Sequence, residues 1–284
     1  MTKISVVIVT YNSASVIKGA LSTLSSVDNI KEIIVVDNAS ADDTCKIIAQ
    51  DFPQVKLVEN KENLGFGVAN NIALEQINSD YALLLNPDAE IDDSSINALL
   101  SAAEKYKNSA ILAPQITLPD GSLQESWKRN VFDREKYGSG KFIEPVGDLC
   151  ADFLSGAVML LRTEYFKGEI GFFDPNIFLF YEDDDLCLKA KEAGYELVLV
   201  SGAKAKHIMG GSSEHSLATD GFKQKQMIIS RIYLEKKYHG EKAAKQMAKK
   251  ILVHSLLKFI LYSLVFNSKK KNRYRARMSG LKSN

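Results

Sequence analysis

The feature that most restricts the fold of this chain is an alternation of two periods along its first third. Residues 4–9, 32–36, 55–58 and Tyr81–Leu85 are short runs dominated by Val, Ile and Leu. Such runs suit strands buried on both faces. Between them, residues 15–24, 43–52 and 66–77 carry helical spacing, with Ser13, Ser40 and Asn63 near their starts as expected caps. A βαβαβαβ order of this kind predicts a mostly parallel sheet with helices on both faces, an α/β fold.

Further along, residues 94–106 read as a helix and 111–116 as a strand, followed by a turn at Pro119-Asp120-Gly121-Ser122. Residues 123–150 carry no clear period, and Gly138-Ser139-Gly140 suggests a loop over a cleft. Residues 157–161 and 196–200 read as strands and 186–193 as a helix ended by Gly194, and the chain is expected to be helical from 222 to 266. The expected division is a core over 1–210 and a helical C-terminal extension over 211–284.

Ligands bind open parallel sheets at the carboxyl ends of the strands. Thr10, Tyr11 and Asn12 follow the first run, and Asp37 and Asn38 the second. Asn60 to Gly65 follow the third, and Asn86-Pro87-Asp88 the fourth. Four polar ends together suggest a nucleotide-sized site, with Tyr11 placed to stack on a base and Asn38 to bond its edge. Asp37 can also be read as turn and cap chemistry at a strand–helix junction. A dinucleotide-binding reading fails because the first loop lacks G-x-G-x-x-G and carries bulkier residues where a pyrophosphate would lie.

The motifs Val6-Val7-Ile8-Val9-Thr10-Tyr11-Asn12, Val35-Val36-Asp37-Asn38-Ala39-Ser40, Asn63-Leu64-Gly65-Phe66-Gly67 and Leu84-Leu85-Asn86-Pro87-Asp88 stand in order in this chain. Gly171-Phe172-Phe173-Asp174-Pro175 and Tyr181-Glu182-Asp183-Asp184-Asp185-Leu186 follow them. Together they resemble family 2 inverting glycosyltransferases, most closely the bacterial rhamnosyltransferase-like branch, over residues 4–213. The resemblance implies a GT-A fold, a nucleoside-diphosphate sugar donor (dTDP or UDP), a divalent metal (Mg²⁺ or Mn²⁺) and inversion at the anomeric carbon.

It also implies roles. Asp183 is matched to the general base, with Glu182 beside it. Thr10, Tyr11, Asn12, Asp37, Asn38, Asn63, Gly65, Asn86 and Asp88 are matched to donor binding. Asp88 and His207 are matched to the metal, which needs hard oxygen and imidazole donors. Family members carry D-x-D after the fourth strand; here Asn86 replaces the first acid, a departure that bears on strict metal dependence. Ser155-Gly156-Ala157 matches an acceptor-side segment. Trp127 and Arg129 are weaker acceptor-side candidates, because an aromatic face packs on sugar and a guanidinium grips phosphate. Four adjacent carboxylates at 182–185 also suit an acidic helix start, and helical geometry lets at most two of them face one site.

Charge divides the chain. Residues 267–284 hold seven bases and no acid, against 29 bases and 35 acids before them. Positive charge confined to one end argues against a nucleic-acid binder. Residues 251–266 are apolar apart from a stripe at His254, Lys258 and Tyr262. They are too short to span a bilayer but suit an interfacial helix which, with the basic tail, would dock on an anionic membrane surface. The alternative is a helix packed on the core or on a homodimer partner. Three cysteines without C-x-x-C spacing, and an N-terminal apolar run too short for a signal peptide, lead to the expectation of a cytoplasmic protein at the inner face of the membrane.

The expected activity is transfer of rhamnose, or another deoxyhexose or hexose, to a lipid-linked saccharide during surface-polysaccharide assembly. The rival from another class is a dead GT-A domain serving as a nucleotide-sugar-binding scaffold. A sugar nucleotidylyltransferase is disfavoured because the first loop is not Gly-rich.

Overall fold

The computed structural model describes residues 3–25, 27–138, 144–208 and 216–282. In chain order the elements are β1 (Ile4–Thr10), α1 (Ile17–Leu24), β2 (Ile30–Asp37), α2 (Thr44–Asp51), β3 (Lys56–Glu59), α3 (Phe66–Leu74) and β4 (Tyr81–Leu85). Then come β5 (Ala89–Ile91), α4 (Asp93–Lys105), β6 (Ser109–Thr117), β7 (Trp127–Lys128), α5 (Val131–Tyr137), β8 (Leu149–Ala151) and β9 (Phe153–Leu154). The rest are β10 (Val158–Arg162), α6 (Thr163–Tyr165) running into a π turn at Phe166–Ile170, α7 (Glu182–Glu192), β11 (Glu196–His207), α8 (Leu217–Leu264) and α9 (Ser268–Gly280).

The main sheet runs β3-β2-β1-β4-β10-β6-β11-β5, with β8 added on β11. β1 pairs in parallel with β2 and β4, and β10 enters antiparallel between β4 and β6. Every residue of β1 is buried, and its side chains alternate between two cores. Ile4, Val6 and Ile8 pack with Leu21 of α1, Ile48 of α2 and Leu99 of α4. Val7 and Val9 pack with Ala73 of α3 and Leu186 of α7. Helices on both faces are why the central strands read as unbroken apolar runs.

The expected caps are not where the sequence suggested. The cap positions of α1, α2 and α3 are Val16, Asp43 and Gly65, none with a side-chain cap bond. Ser13 Oγ instead accepts from the Tyr11 N–H within its own loop, and Ser40 Oγ ties two loops together by accepting from the Asn12 N–H. Asn63 Oδ1 accepts from the Gly65 N–H, two residues on. α4 is capped as the rules expect, with Asp92 accepting from the Ser95 N–H at 2.8 Å.

Three further differences matter for the site. β11 runs to His207, well past the expected end at Val200, because its second half gains β5 as an antiparallel partner. Residues 123–150 hold β7, α5 and β8 rather than an irregular loop, and the Ser139-Gly140 part of the expected cleft loop lies outside the described residues. α7 begins at Glu182, four residues before the apolar pattern starts at Leu186.

The chain divides into two compact units, Met1–Asp174 with Asp183–Ser212, and Pro175–Glu182 with Ser213–Asn284. In the second, α8 bends at Gly240, whose φ of 84° and ψ of 171° belong to the region open to glycine alone. The bend folds Ala244 back on Ile228 and Ile232, with Met247, Ile251 and Leu281 closing this small core. The basic segment expected as a tail is instead the helix α9. It packs along α8 through Arg273–Asp220 at 3.1 Å and Tyr274 stacked on Tyr262.

Candidate active site

The carboxyl ends of β1, β2 and β4 assemble the polar residues read from the sequence. After β1 the chain turns through Asn12 at φ 52°, and after β2 through Ala39 at φ 62°. Asp37, buried at the end of β2, accepts from Thr10 Oγ1 at 2.7 Å and from the Ser40 N–H at 2.8 Å. Asn12 Oδ1 accepts from the Ala41 N–H. Thr10, Asn12 and Asp37 therefore knit two loops into one rim, the turn-and-cap role open to Asp37.

Asn38 is 2% exposed. Its Oδ1 accepts from Asn60 Nδ2 at 2.9 Å, and its Nδ2 donates to the Gly65 carbonyl at 3.1 Å. These bonds fasten the loop after β3, with Asn63 and Gly65, onto the end of β2. Of the two residues matched to base recognition, Tyr11 is the exposed one, at 48%. The loop at 171–173 is held on α3 by Asn71, which donates to the Phe173 carbonyl and accepts from its N–H.

After β4, Asn86-Pro87-Asp88-Ala89 is a tight turn closed by the Ala89 N–H to the Asn86 carbonyl. The pairing of β5 with β11 sets Ala89 opposite His207, and the Ile208 N–H bonds the Asp88 carbonyl. The side chains then meet: His207 Nε2 lies 3.2 Å from Asp88 Oδ1, both buried. His207 Nδ1 lies 2.9 Å from Gln124 Oε1. Two ligands at right angles around a cation at about 2.1 Å stand about 3.0 Å apart, so this pair has the spacing of adjacent ligands on Mg²⁺ or Mn²⁺. Among the described residues no group of three His, Cys, Asp or Glu converges on one point, so the pair could offer a cation two donors at most.

The second half of the site joins the same turn. The Asn86 N–H bonds the Ala157 carbonyl at 2.9 Å, and the neighbouring Gly156 N–H reaches Asp183 Oδ2 at 3.2 Å. A side chain at Gly156 would put its Cβ 3.2 Å from the Cβ of Asp183, so glycine is what lets the turn approach the carboxylate. The Asp184 N–H donates to Asp183 Oδ1 at 3.0 Å. Phe180 and Tyr181, both at φ 67°, precede α7. Such strained residues gather where the surrounding structure must aim a side chain.

Burial pushes the Asp183 carboxyl up from its ordinary value, while the Gly156 and Asp184 amides and the nearby Arg134 pull it down. The upward direction suits a proton acceptor near neutral pH. Arg134 bonds Asp184 Oδ1 at 2.6 Å and the Arg129 carbonyl at 2.8 Å, and it lies over the Phe153 ring. Arg134→Gln removes a charge that favours the Asp183 carboxylate. The acidic limb of the kcat–pH profile is therefore expected to move to higher pH. An unmoved limb would show that the two groups do not communicate.

The remaining acids separate by role. Glu182 opens α7 and is buried, and Asp185 is fully buried with Lys189 one turn on at 4.0 Å. Trp127 pairs with Leu154 in the small β7–β9 sheet, placing it two residues from the Gly156 turn, half-buried against the second core. Arg129 is exposed beyond it. Sequence reasoning missed Gln124 and Arg134. Gln124 carries no signal beyond an amide just after the 119–122 turn. Arg134 falls in the stretch without period, where charge alone does not name a partner.

Comparison with known proteins identifies the family and the fold. The model of glycosyl transferase family 2 matches residues 5–168. An N-acetylglucosaminyl-diphospho-decaprenol L-rhamnosyltransferase of Mycobacterium tuberculosis is 30% identical over 237 residues, 71% of this chain and 75% of that protein. The rhamnosyltransferase WbbL of Escherichia coli K12 is 28% identical over 219 residues, 71% of this chain and 82% of its own. Among solved structures, GalNAc-T7 with UDP, GalNAc and Mn²⁺ superposes with a TM-score of 0.60 at 17% identity, over 81% of this chain and 47% of that one. Staphylococcus aureus TarS 1–349 gives 0.55 at 16% identity, over 100% and 92%. The fold is the GT-A fold, and the chain belongs to glycosyl transferase family 2 and is a glycosyltransferase.

Proposed function

We propose that this enzyme moves rhamnose, or another deoxyhexose or hexose, from a dTDP- or UDP-sugar to a hydroxyl of a lipid-linked saccharide, with inversion, during assembly of a surface polysaccharide. One observation carries the reading. The turn at Asn86–Asp88 is tied on one side to His207 and on the other, through Ala157 and Gly156, to Asp183. A cation-holding pair and a raised-pKa carboxylate are thereby built onto one strand end. The names of the two rhamnosyltransferase relatives support the sugar, and the mycobacterial one supports a lipid-diphosphate acceptor.

In this reading Asp183, with Glu182 next to it in sequence, takes the proton of the acceptor hydroxyl. That oxygen bonds the anomeric carbon, and the bond to the diphosphate breaks with its electron pair leaving on the phosphate oxygen. Asp88 and His207 would hold a divalent cation, which would supply neutralisation of charge on the diphosphate. Tyr11 stacks on the base at a rim braced by Thr10, Asn12, Asp37, Asn38, Asn63 and Gly65. Asn86 bonds ribose or a cation-bound water. Gly156, Ala157, Trp127 and Arg129 line the acceptor side. A thermal-shift screen of nucleoside-diphosphate sugars with and without Mn²⁺, followed by a transfer assay, tests this. Binding of a donor with no transfer to any lipid-linked acceptor would favour the scaffold reading that Asn86 motivates.

We also propose that the second unit docks this enzyme on an anionic bilayer. Among the described residues no helix is long and apolar enough to cross a membrane. α8 is turned inside out near its end. Its polar stripe faces α9, with Tyr262 and His254 against Tyr274, while Leu252, Leu256, Leu257, Ile260, Leu264 and Phe266 are exposed. Lys270 lies over Tyr262 and Lys271 over Phe259, bringing the basic first turn of α9 beside this patch. Apolar area and cations together are the two signals a peripheral protein needs. Flotation of the full chain with phosphatidylglycerol vesicles is expected, and Leu257→Glu with Leu264→Glu should abolish it. A dimer in solution that the same pair disperses, with no vesicle binding by the unsubstituted protein, would make the patch an interface between copies.

A further inference from the structure

Gln124 lies 83 residues before His207, yet its side-chain oxygen is 2.9 Å from the imidazole Nδ1. Its placement is built rather than incidental. The turn at 118–122 closes with the Leu118 N–H on the Ser122 carbonyl, and Asp120 Oδ1 accepts from the Ser122 N–H. The chain returns antiparallel to β6, with Thr117 bridged to Leu123 and the Gln124 N–H on the Ile116 carbonyl at 2.8 Å. The same residues of β6, Ile116 and Thr117, pair on β11 with Ala205 and Lys206, immediately before His207. Histidine and glutamine are thus mounted on one stretch of β6.

An amide oxygen only accepts hydrogen bonds, so the Nδ1 that faces it must carry a proton. In the neutral ring this leaves the lone pair on Nε2, the nitrogen that faces Asp88 Oδ1 at 3.2 Å. Two acceptors then converge on one point, the arrangement that a cation between them satisfies. A donor in place of the Gln124 oxygen would reverse the ring. Nδ1 would be bare and an Nε2 proton would bond Asp88, closing the point where a cation would sit.

We propose that Gln124 is the positioning residue of the cation site: it selects the Nδ1–H form of His207 and aims the Nε2 lone pair at the position shared with Asp88. This rests on the reading of Asp88 and His207 as cation ligands. Gln124 touches neither donor nor acceptor in it. Partners of metal-binding histidines typically contribute 10–100-fold to affinity, roughly the effect expected here.

The test uses the full chain with Gln124→Met, Gln124→Glu and His207→Ala, each with UDP or dTDP. Mn²⁺ affinity is read from the EPR signal of the free ion. In the Co²⁺-loaded protein, the exchangeable Nδ1 proton is read as a shifted NMR line that vanishes in D₂O. Gln124→Met is expected to weaken Mn²⁺ binding about 10–100-fold and to move or lose the line. Gln124→Glu, which still accepts, should keep both near the unsubstituted protein, showing that the loss is not one of folding. Gln124→Met binding Mn²⁺ normally while His207→Ala binds weakly would overturn the proposal and leave the ligand reading standing. Normal binding by His207→Ala would remove the ligand reading, and the proposal with it.

Discussion

Asp183→Asn is expected to reduce kcat by about 10²–10⁴-fold, the usual contribution of a positioned general base, while donor affinity stays within a few-fold of the unsubstituted enzyme. The Gly156 and Asp184 N–H groups bond different oxygens of Asp183, so the isosteric amide keeps one of these bonds and gives up the other together with proton acceptance. The substitution has two opposed effects on stability. Because burial raises the Asp183 pKa, its contribution to folding is greatest at low pH, where the acid is neutral. That contribution falls as pH rises through the folded value, so at neutral pH the carboxylate is a charge the fold holds at a cost. A neutral amide removes that cost but loses one of the two N–H bonds, so Tm at pH 7 is expected to stay close to that of the unsubstituted protein. Loss of transfer with a nearly unchanged Tm would be the mark of a residue kept for chemistry. Near-normal turnover would remove Asp183 from the role of base.

The second large effect is expected at the other end of the same turn. Asp88→Asn and His207→Ala should each lower kcat/KM by at least about 10²-fold, since a cation at a diphosphate supplies several kcal/mol of charge stabilisation and each 1.4 kcal/mol is tenfold. The two losses should not add. Side chains 3.2 Å apart that would share one ion form a unit, and the double variant should be little worse than either single one. The activity of both should also need far more Mn²⁺ to saturate. Because the turn carries Asn86 rather than a second acid, this is a sharp measurement: with one carboxylate in the pair, removing Asp88 leaves His207 alone. Turnover that resists EDTA and survives Asp88→Asn would mean that leaving-group charge is balanced without an ion.

What could be read in advance follows how local each signal is. The runs that became β1, β2 and β4 were legible because a strand buried on both faces is apolar throughout, and β4 has the predicted bounds; β3, at the sheet edge, is instead partly exposed. β5, β7, β8 and β9 have two or three residues each, too few for any period to show. The caps failed because the Ser13 and Ser40 hydroxyls accept from loop amides, of Tyr11 and Asn12, rather than from their own helices. In the C-terminal unit the polar stripe of His254 and Tyr262 was visible, but not that it would turn toward α9 and leave the leucines outside. A stripe defines two faces of a helix without saying which one finds a partner.

The sequence by itself determined the α/β class, the order of the first strands and the polar groups at their carboxyl ends. Each of these depends on side-chain spacing within one segment, and spacing is written in the chain. Only the tertiary structure decided that Asp88 meets His207, that Gly156 meets Asp183, and that Gln124 stands behind the histidine. Those meetings depend on the insertion of β10 between β4 and β6 and on the extension of β11 to β5. Strand order of that kind is settled by which segments bury one another's surface, a property of the whole core that no single segment carries.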